Sequence, residues 1–135
     1  MNKNTLYLPR YGWRIELFTD FECEDSDVVL QSLENIDCSD ELLRTAMVHL
    51  WQCEKNTGLT YTSIPYRTSV AVVYKTTSRK EFVNTLSHEC AHICAHITKS
   101  FLIKLTEEEF CEMVGDLMAQ TTSILFEVLC GCGDR

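Results

Sequence analysis

Phe82, Leu86, Cys90, Ile93, Ile97 and Phe101 recur at three- and four-residue intervals. A strand alternates its faces every second residue and cannot keep such a set together, whereas a helix gathers it into one stripe. The spacing predicts an amphipathic helix from about Arg79 to Phe101, with Ser78 or Thr77 as its N-cap. A stripe that long has to be covered by another layer. The strongest β run of the chain, Ser69-Val-Ala-Val-Val-Tyr74, stands immediately before it. The chain is therefore expected to be α+β, a small sheet packed on this helix and on a further helix that follows it.

The remaining segments fit that plan. Trp13-Arg-Ile-Glu-Leu-Phe18 alternates large apolar with polar residues and reads as a half-buried strand, opened by a turn over Pro9 to Gly12. Glu22, Glu24, Asp25 and Asp27 make an acidic loop without the glycine and later glutamate of an EF-hand, and Asp27 is placed to cap a short helix, Val28 to Asn35. Ser39 caps a better helix, with Leu42, Leu43, Ala46, Met47, Leu50 and Trp51 at helical spacing and an end near Gly58. His49 lies in it without a partner at i±4 and reads as satisfied or exposed. Strand character returns from Leu59 to Tyr74, with Pro65 marking an irregular approach or a sheet edge. Neither repeats nor low-complexity tracts interrupt the 135 residues, which read as one domain, 1–135.

A formal charge of −8 with no lysine or arginine run argues against a phosphate-binding surface, so nucleic acid is not expected as a partner. No stretch is long and apolar enough to span a bilayer, and MNKNTLYLPRYGW lacks a signal-peptide core. No membrane partner is expected, and the eight cysteines are read as residing in a reducing cytoplasm. Cys90 and Cys94 fall inside the long helix, where thiols act as small buried hydrophobes. Cys130 and Cys132 form a C-x-C pair in a packed or disordered tail.

Chemistry concentrates on the long helix. His88, Glu89 and His92 spell H-E-x-x-H. Histidines at i and i+4 project from one face, away from the apolar stripe, so both imidazoles can hold one Zn²⁺. The glutamate between them suits the role of general base toward a metal-activated water. His96 continues the series, but in a straight helix it lies about 12 Å along the axis from His88. It belongs at the rim of a cleft and not on the same ion. A longer signature, with a third histidine six residues after His92, is absent because Thr98 stands there.

Two histidines leave a zinc ion short of a protein ligand. The next helix opens with Thr106 as N-cap and Glu107, Glu108 and Glu109 in its first turn, and its apolar face is Phe110, Met113, Val114, Leu117, Ile124, Leu125 and Val128. Glu108 and Glu112 share the opposite side, a pair suited to one ligand and one carboxylate that orients a ligating histidine. In the competing register Glu112 is the ligand and Asp116 the support.

The combination resembles gluzincin metallopeptidases, in which a downstream helix supplies a glutamate, an acidic residue four later and a glycine seven later. Glu108, Glu112 and Gly115 stand at those positions, so the resemblance implies His88, His92 and Glu108 as ligands of Zn²⁺. The stretch from Ser69 through Leu117, together with Leu129 and Cys130, is also similar to small metallopeptidases carried by phages and mobile elements of Bacteroidales-like bacteria. What this implies is a minimal zincin-like fold and hydrolysis of a peptide or protein substrate with Glu89 as base. No transition-state stabiliser is positioned by the motif; Tyr61, Tyr66, Tyr74 and His96 are the candidates. The same residues also allow a zinc-binding scaffold that catalyses nothing, or an interaction protein in which the motif is accidental.

Overall fold

The structure, a computed structural model, describes residues 1–130, for Cys130 the backbone alone. The C-x-C pair and the Leu129–Cys130 ending therefore lie wholly or partly outside what is described. The chain is α+β. A four-stranded sheet has the order β1-β2-β4-β3, from β1 (Asn2–Leu8), β2 (Trp13–Phe21), β3 (Gly58–Ser63) and β4 (Thr68–Tyr74). β1 and β2 form an antiparallel hairpin, which Gly12 closes at φ +61°, a conformation that costs a residue without Cβ little. β2 pairs with β4 in parallel, and β3 pairs with β4 antiparallel.

Helices cover both faces. On one side lie α1 (Ser26–Asn35) and α2 (Asp40–Trp51); on the other lie α3 (Arg79–Ser100), α4 (Glu108–Gln120) and α5 (Thr122–Cys130). The two central strands alternate between these layers. Trp13, Ile15, Leu17, Ala71 and Val73 pack with Phe82, Leu86, Ile93, Ile97, Met113 and Leu117. Phe18, Phe21, Val70, Val72 and Tyr74 pack with Val29, Leu33, Ala46 and Leu50. All seven residues of β4 are buried, as expected of a strand paired on both sides and covered on both faces.

Several boundaries differ from the sequence reading. Pro65 sits in the turn between β3 and β4, and the sheet's edges are β1 and β3, not the more apolar β4. Trp13–Phe21 is nearly all buried, not half-buried, because helices flank both of its faces. α1 starts at Ser26, while Glu22 and Asp25 form a reciprocal capping box one turn earlier. Ser39 caps α2 as expected, its Oγ accepting from the Leu42 N–H, but the helix ends at Trp51. The apolar face that reads as one helix from Phe110 to Val128 is divided at Thr121, whose hydroxyl donates to the Met118 carbonyl. The residue before α4 is Glu107, whose side chain makes no cap bond, in place of Thr106.

Cys23 and Cys53 form a disulfide, their Cα atoms 5.3 Å apart, joining the end of β2 to the residues after α2. Nothing in the cysteine spacing announces this pair. No helix among the described residues is long and apolar enough to cross a membrane.

Candidate active site

Ser78 fixes the start of α3, its Oγ accepting from the Glu81 N–H at 3.1 Å. From there 3.6 residues per turn set which face each side chain takes. The stripe Phe82, Leu86, Cys90, Ile93, Ile97 goes under the sheet. His88 and His92 are left on the exposed side, with ring centroids 4.7 Å apart and Nε2 atoms 3.0 Å apart. Two nitrogens bound tetrahedrally to one zinc at about 2.0–2.1 Å stand ~3.3 Å from each other. The pair therefore fits as two of a zinc ion's ligands.

The third sequence-predicted ligand is not brought to them. Among the described residues no third histidine, cysteine or carboxylate completes a metal-holding group with this pair. Glu108 is exposed in the first turn of α4. Glu112, its proposed support and the alternative ligand, lies 3.7 Å from the Arg10 guanidinium, and Glu109 lies 3.3 Å from it. Tyr11 also donates to Glu109, at 2.7 Å. These contacts draw the acidic side of α4 toward the β1–β2 corner. Asp116 faces the same corner, lining a recess with Leu8 and Arg10. Gly115 is solvent-facing, and a Cβ there would meet nothing within 4 Å.

Glu89 lies on the flank of α3 that meets β3. It is only 3% exposed, and its Oε1 accepts from the Thr60 hydroxyl at 2.7 Å. Its Oε2 presses on the backbone where β3 begins: a Cβ on Gly58 would come within 2.7 Å of that oxygen and 2.6 Å of the Val72 carbonyl. The carboxylate is thus clamped by the edge strand. Beside it opens a recess of about 260 Å³ lined by Asn56, Thr57, Gly58, Asn84, His88 and Glu89. Asn84 is the residue that sequence reasoning passed over. It stands four before His88, as His88 stands four before His92, and that spacing was the available signal. Asn56 lines the same recess, but its amide is committed to Thr77.

His96 is half-buried on the same flank, its Nδ1 2.8 Å from the Thr62 hydroxyl. Burial holds its pKa below the ordinary imidazole value, with His92 and Lys99 adding in the same direction. Thr62 in turn meets Ser69 at 2.7 Å, and Ser69 accepts from the Trp13 indole at 3.1 Å. An indole N–H only donates. A hydroxyl has one donor and two acceptor sites, so either Ser69 or Thr62 can donate in their bond, and Thr62 can donate to or accept from His96 Nδ1 according to the tautomer. This bond occupies Nδ1, and Nε2 has no hydrogen-bond partner among the described residues.

The tyrosines divide by face. Tyr74 is buried in the α1–α2 layer with its hydroxyl on His49, which satisfies that histidine. Tyr61 packs toward the same layer, and Tyr66 is exposed in the β3–β4 turn. Neither Tyr61 nor Tyr66 lines the recess beside Glu89, and Tyr74 lies across the sheet from it. Burial pushes the Cys90 thiol up to about 12, helped by the nearby Glu89 charge, and the Cys94 thiol equally high. Both remain protonated core residues and not thiolate ligands.

Comparisons with protein-family models, with curated proteins and with solved structures returned no match to this chain.

Proposed function

We propose that the chain is a zinc-dependent hydrolase of peptide bonds, with His88 and His92 holding the ion and Glu89 acting as base. The observation that carries the reading is the convergence of the two Nε2 atoms to 3.0 Å next to a carboxylate on the same helix. When bound, zinc supplies Lewis acidity and lowers the pKa of water from 15.7 to about 7. Glu89 takes a proton from water held in the recess and delivers it to the leaving amine. Its hydrogen bond from Thr60 fixes which carboxylate oxygen remains for that exchange. Asn84 contributes an amide donor to the same recess, suited to a developing oxyanion. The free edge of β3 offers unpaired backbone groups to an extended peptide, which would pair by strand addition. Glu108 enters this reading as third ligand from the family resemblance alone.

One observation favours a second reading, a zinc-binding module without catalysis. Glu89 is enclosed at 3% exposure and already hydrogen-bonded, as a structural carboxylate would be. Metal analysis of the purified chain beside His92→Ala and Glu108→Ala tests the site. The proposal expects one zinc per chain in the first and little in either variant. A full complement in Glu108→Ala would remove that residue and leave the histidine pair, whereas a metal-free wild type would end the zinc reading. A peptide-library assay then separates the two readings, because Glu89→Gln abolishes cleavage only if the carboxylate moves protons.

A further inference from the structure

A second recess, of about 460 Å³, opens on the other side of Thr60, between β3 and the last turns of α3. Its walls are Tyr61, Thr62, Ile64, His96, Lys99 and Ser100. Ile64 supplies apolar surface, while the Tyr61 ring is turned to the α1–α2 layer and leaves only its backbone on this side. Its polar groups are the Lys99 ammonium, the His96 imidazole and the hydroxyls of Thr60, Thr62 and Ser100. The hydrogen bond with Thr62 occupies His96 Nδ1 and leaves Nε2 without a partner among the described residues. Lys99 makes no ion pair among the described residues.

A helix C-terminus ordinarily repels an anion, but here its carbonyls are engaged. Ile97 accepts from the Phe101 N–H and the Ser100 hydroxyl, Thr98 from Ile103, and Lys99 from Leu102. The Lys99 charge is therefore not consumed by its own helix end. Glu89 is the nearby opposing charge, and Thr60 caps it at the near end of the recess.

We propose that this recess is a subsite for an acidic side chain, glutamate above all, of a peptide lying along β3. Two methylenes lie against Ile64, and the carboxylate meets Lys99 and His96 Nε2. The proposal rests on the peptide-binding part of the function proposed above but not on its metal chemistry. In a strand added to the free edge of β3, alternate side chains turn toward the α3 face, which limits the requirement to every second position.

The test is a titration of the full-length chain followed by backbone amide NMR, in wild type and in His92→Ala. The probes are a blocked Ala-Val-Glu-Val-Ala peptide, its glutamine counterpart, and free glutarate. The expected result is a Glu-dependent shift of the Thr62, His96 and Lys99 amides in both proteins. The glutamate peptide should bind about tenfold tighter than the glutamine peptide, the worth of one charge-assisted hydrogen bond. Lys99→Gln, at an exposed position that folding does not need, should erase the difference. Equal binding of the two peptides, shifts confined to other residues, or indifference to Lys99→Gln would each overturn the subsite. Glutarate matching the peptide would reassign the recess to a small dicarboxylate and overturn the peptide assignment. Glu-dependent binding with neither zinc nor cleavage would sustain the subsite while ending the hydrolase reading.

Discussion

Gly58 and Glu89 show how narrowly one position can be set. The strand backbone approaches the carboxylate so closely that a methyl group has no room, with the rigid Val72 carbonyl on the other side. Gly58→Ala should cost about 1–3 kcal/mol, as an overpacked contact does, read as a lower urea midpoint at unchanged slope. The displaced carboxylate should also lower any peptide cleavage, while zinc content stays the same because the histidines lie on another face of α3. His96 gives the pH dependence of this scale. Its folded-state pKa lies below the ordinary 6.5, with burial the main cause. The unfolded chain therefore binds more protons, and stability rises with pH through that window. The contribution is complete above 6.5 and lost as pH falls toward the folded value. Urea midpoints near pH 5 and pH 8 should differ less in His96→Gln than in wild type.

At the scale of elements, the disulfide is the connection with most leverage. Cys23 follows β2 and Cys53 follows α2, separated by 30 residues, so the bond ties the α1–α2 layer to the sheet at both of its ends. Closing a loop of that length is worth ~3–4 kcal/mol by chain entropy. Cys23→Ser should lower thermal stability accordingly, and a reductant should lower the wild type to the same level while leaving Cys23→Ser unchanged. Cys90 and Cys94 should not react with an alkylating reagent until the chain unfolds, because they are buried and protonated. The pairing of α4 with Arg10 and Tyr11 belongs to this scale too. It is what turns Glu109 and Glu112 to the β1–β2 corner.

Across the whole molecule, one sheet serves two cores. β2 and β4 contribute side chains to the α3–α4 layer and to the α1–α2 layer in alternation. Neither layer can lose its packing while the strands stay in place, so the two should melt together. Ile93→Ala on one side and Leu50→Ala on the other remove side chains that are almost fully buried. Each should cost about 2–5 kcal/mol. Near- and far-ultraviolet circular dichroism should give coincident transitions in both variants; separate transitions would show two independently folding layers.

Local periodicity was enough for what depends on neighbours along the chain. The stripe from Phe82 to Ile97 and the Ser78 cap defined α3, Ser39 defined the start of α2, and the five residues of H-E-x-x-H put two imidazoles on one exposed face. Those features follow from the geometry of a single helix. Which strand takes the edge does not, since it depends on pairing order: β4 is the more apolar strand yet lies inside, and the polar β3 closes the sheet. The same holds for Glu89, whose clamp by Gly58 and Thr60 joins residues some thirty apart, and for the Cys23–Cys53 bond. The direction in which the acids of α4 point was likewise outside the reach of sequence, because a helix's own period fixes which residues share a face but not what that face meets. Chain-local sterics wrote the elements; only packing between distant segments decided what each exposed side chain confronts.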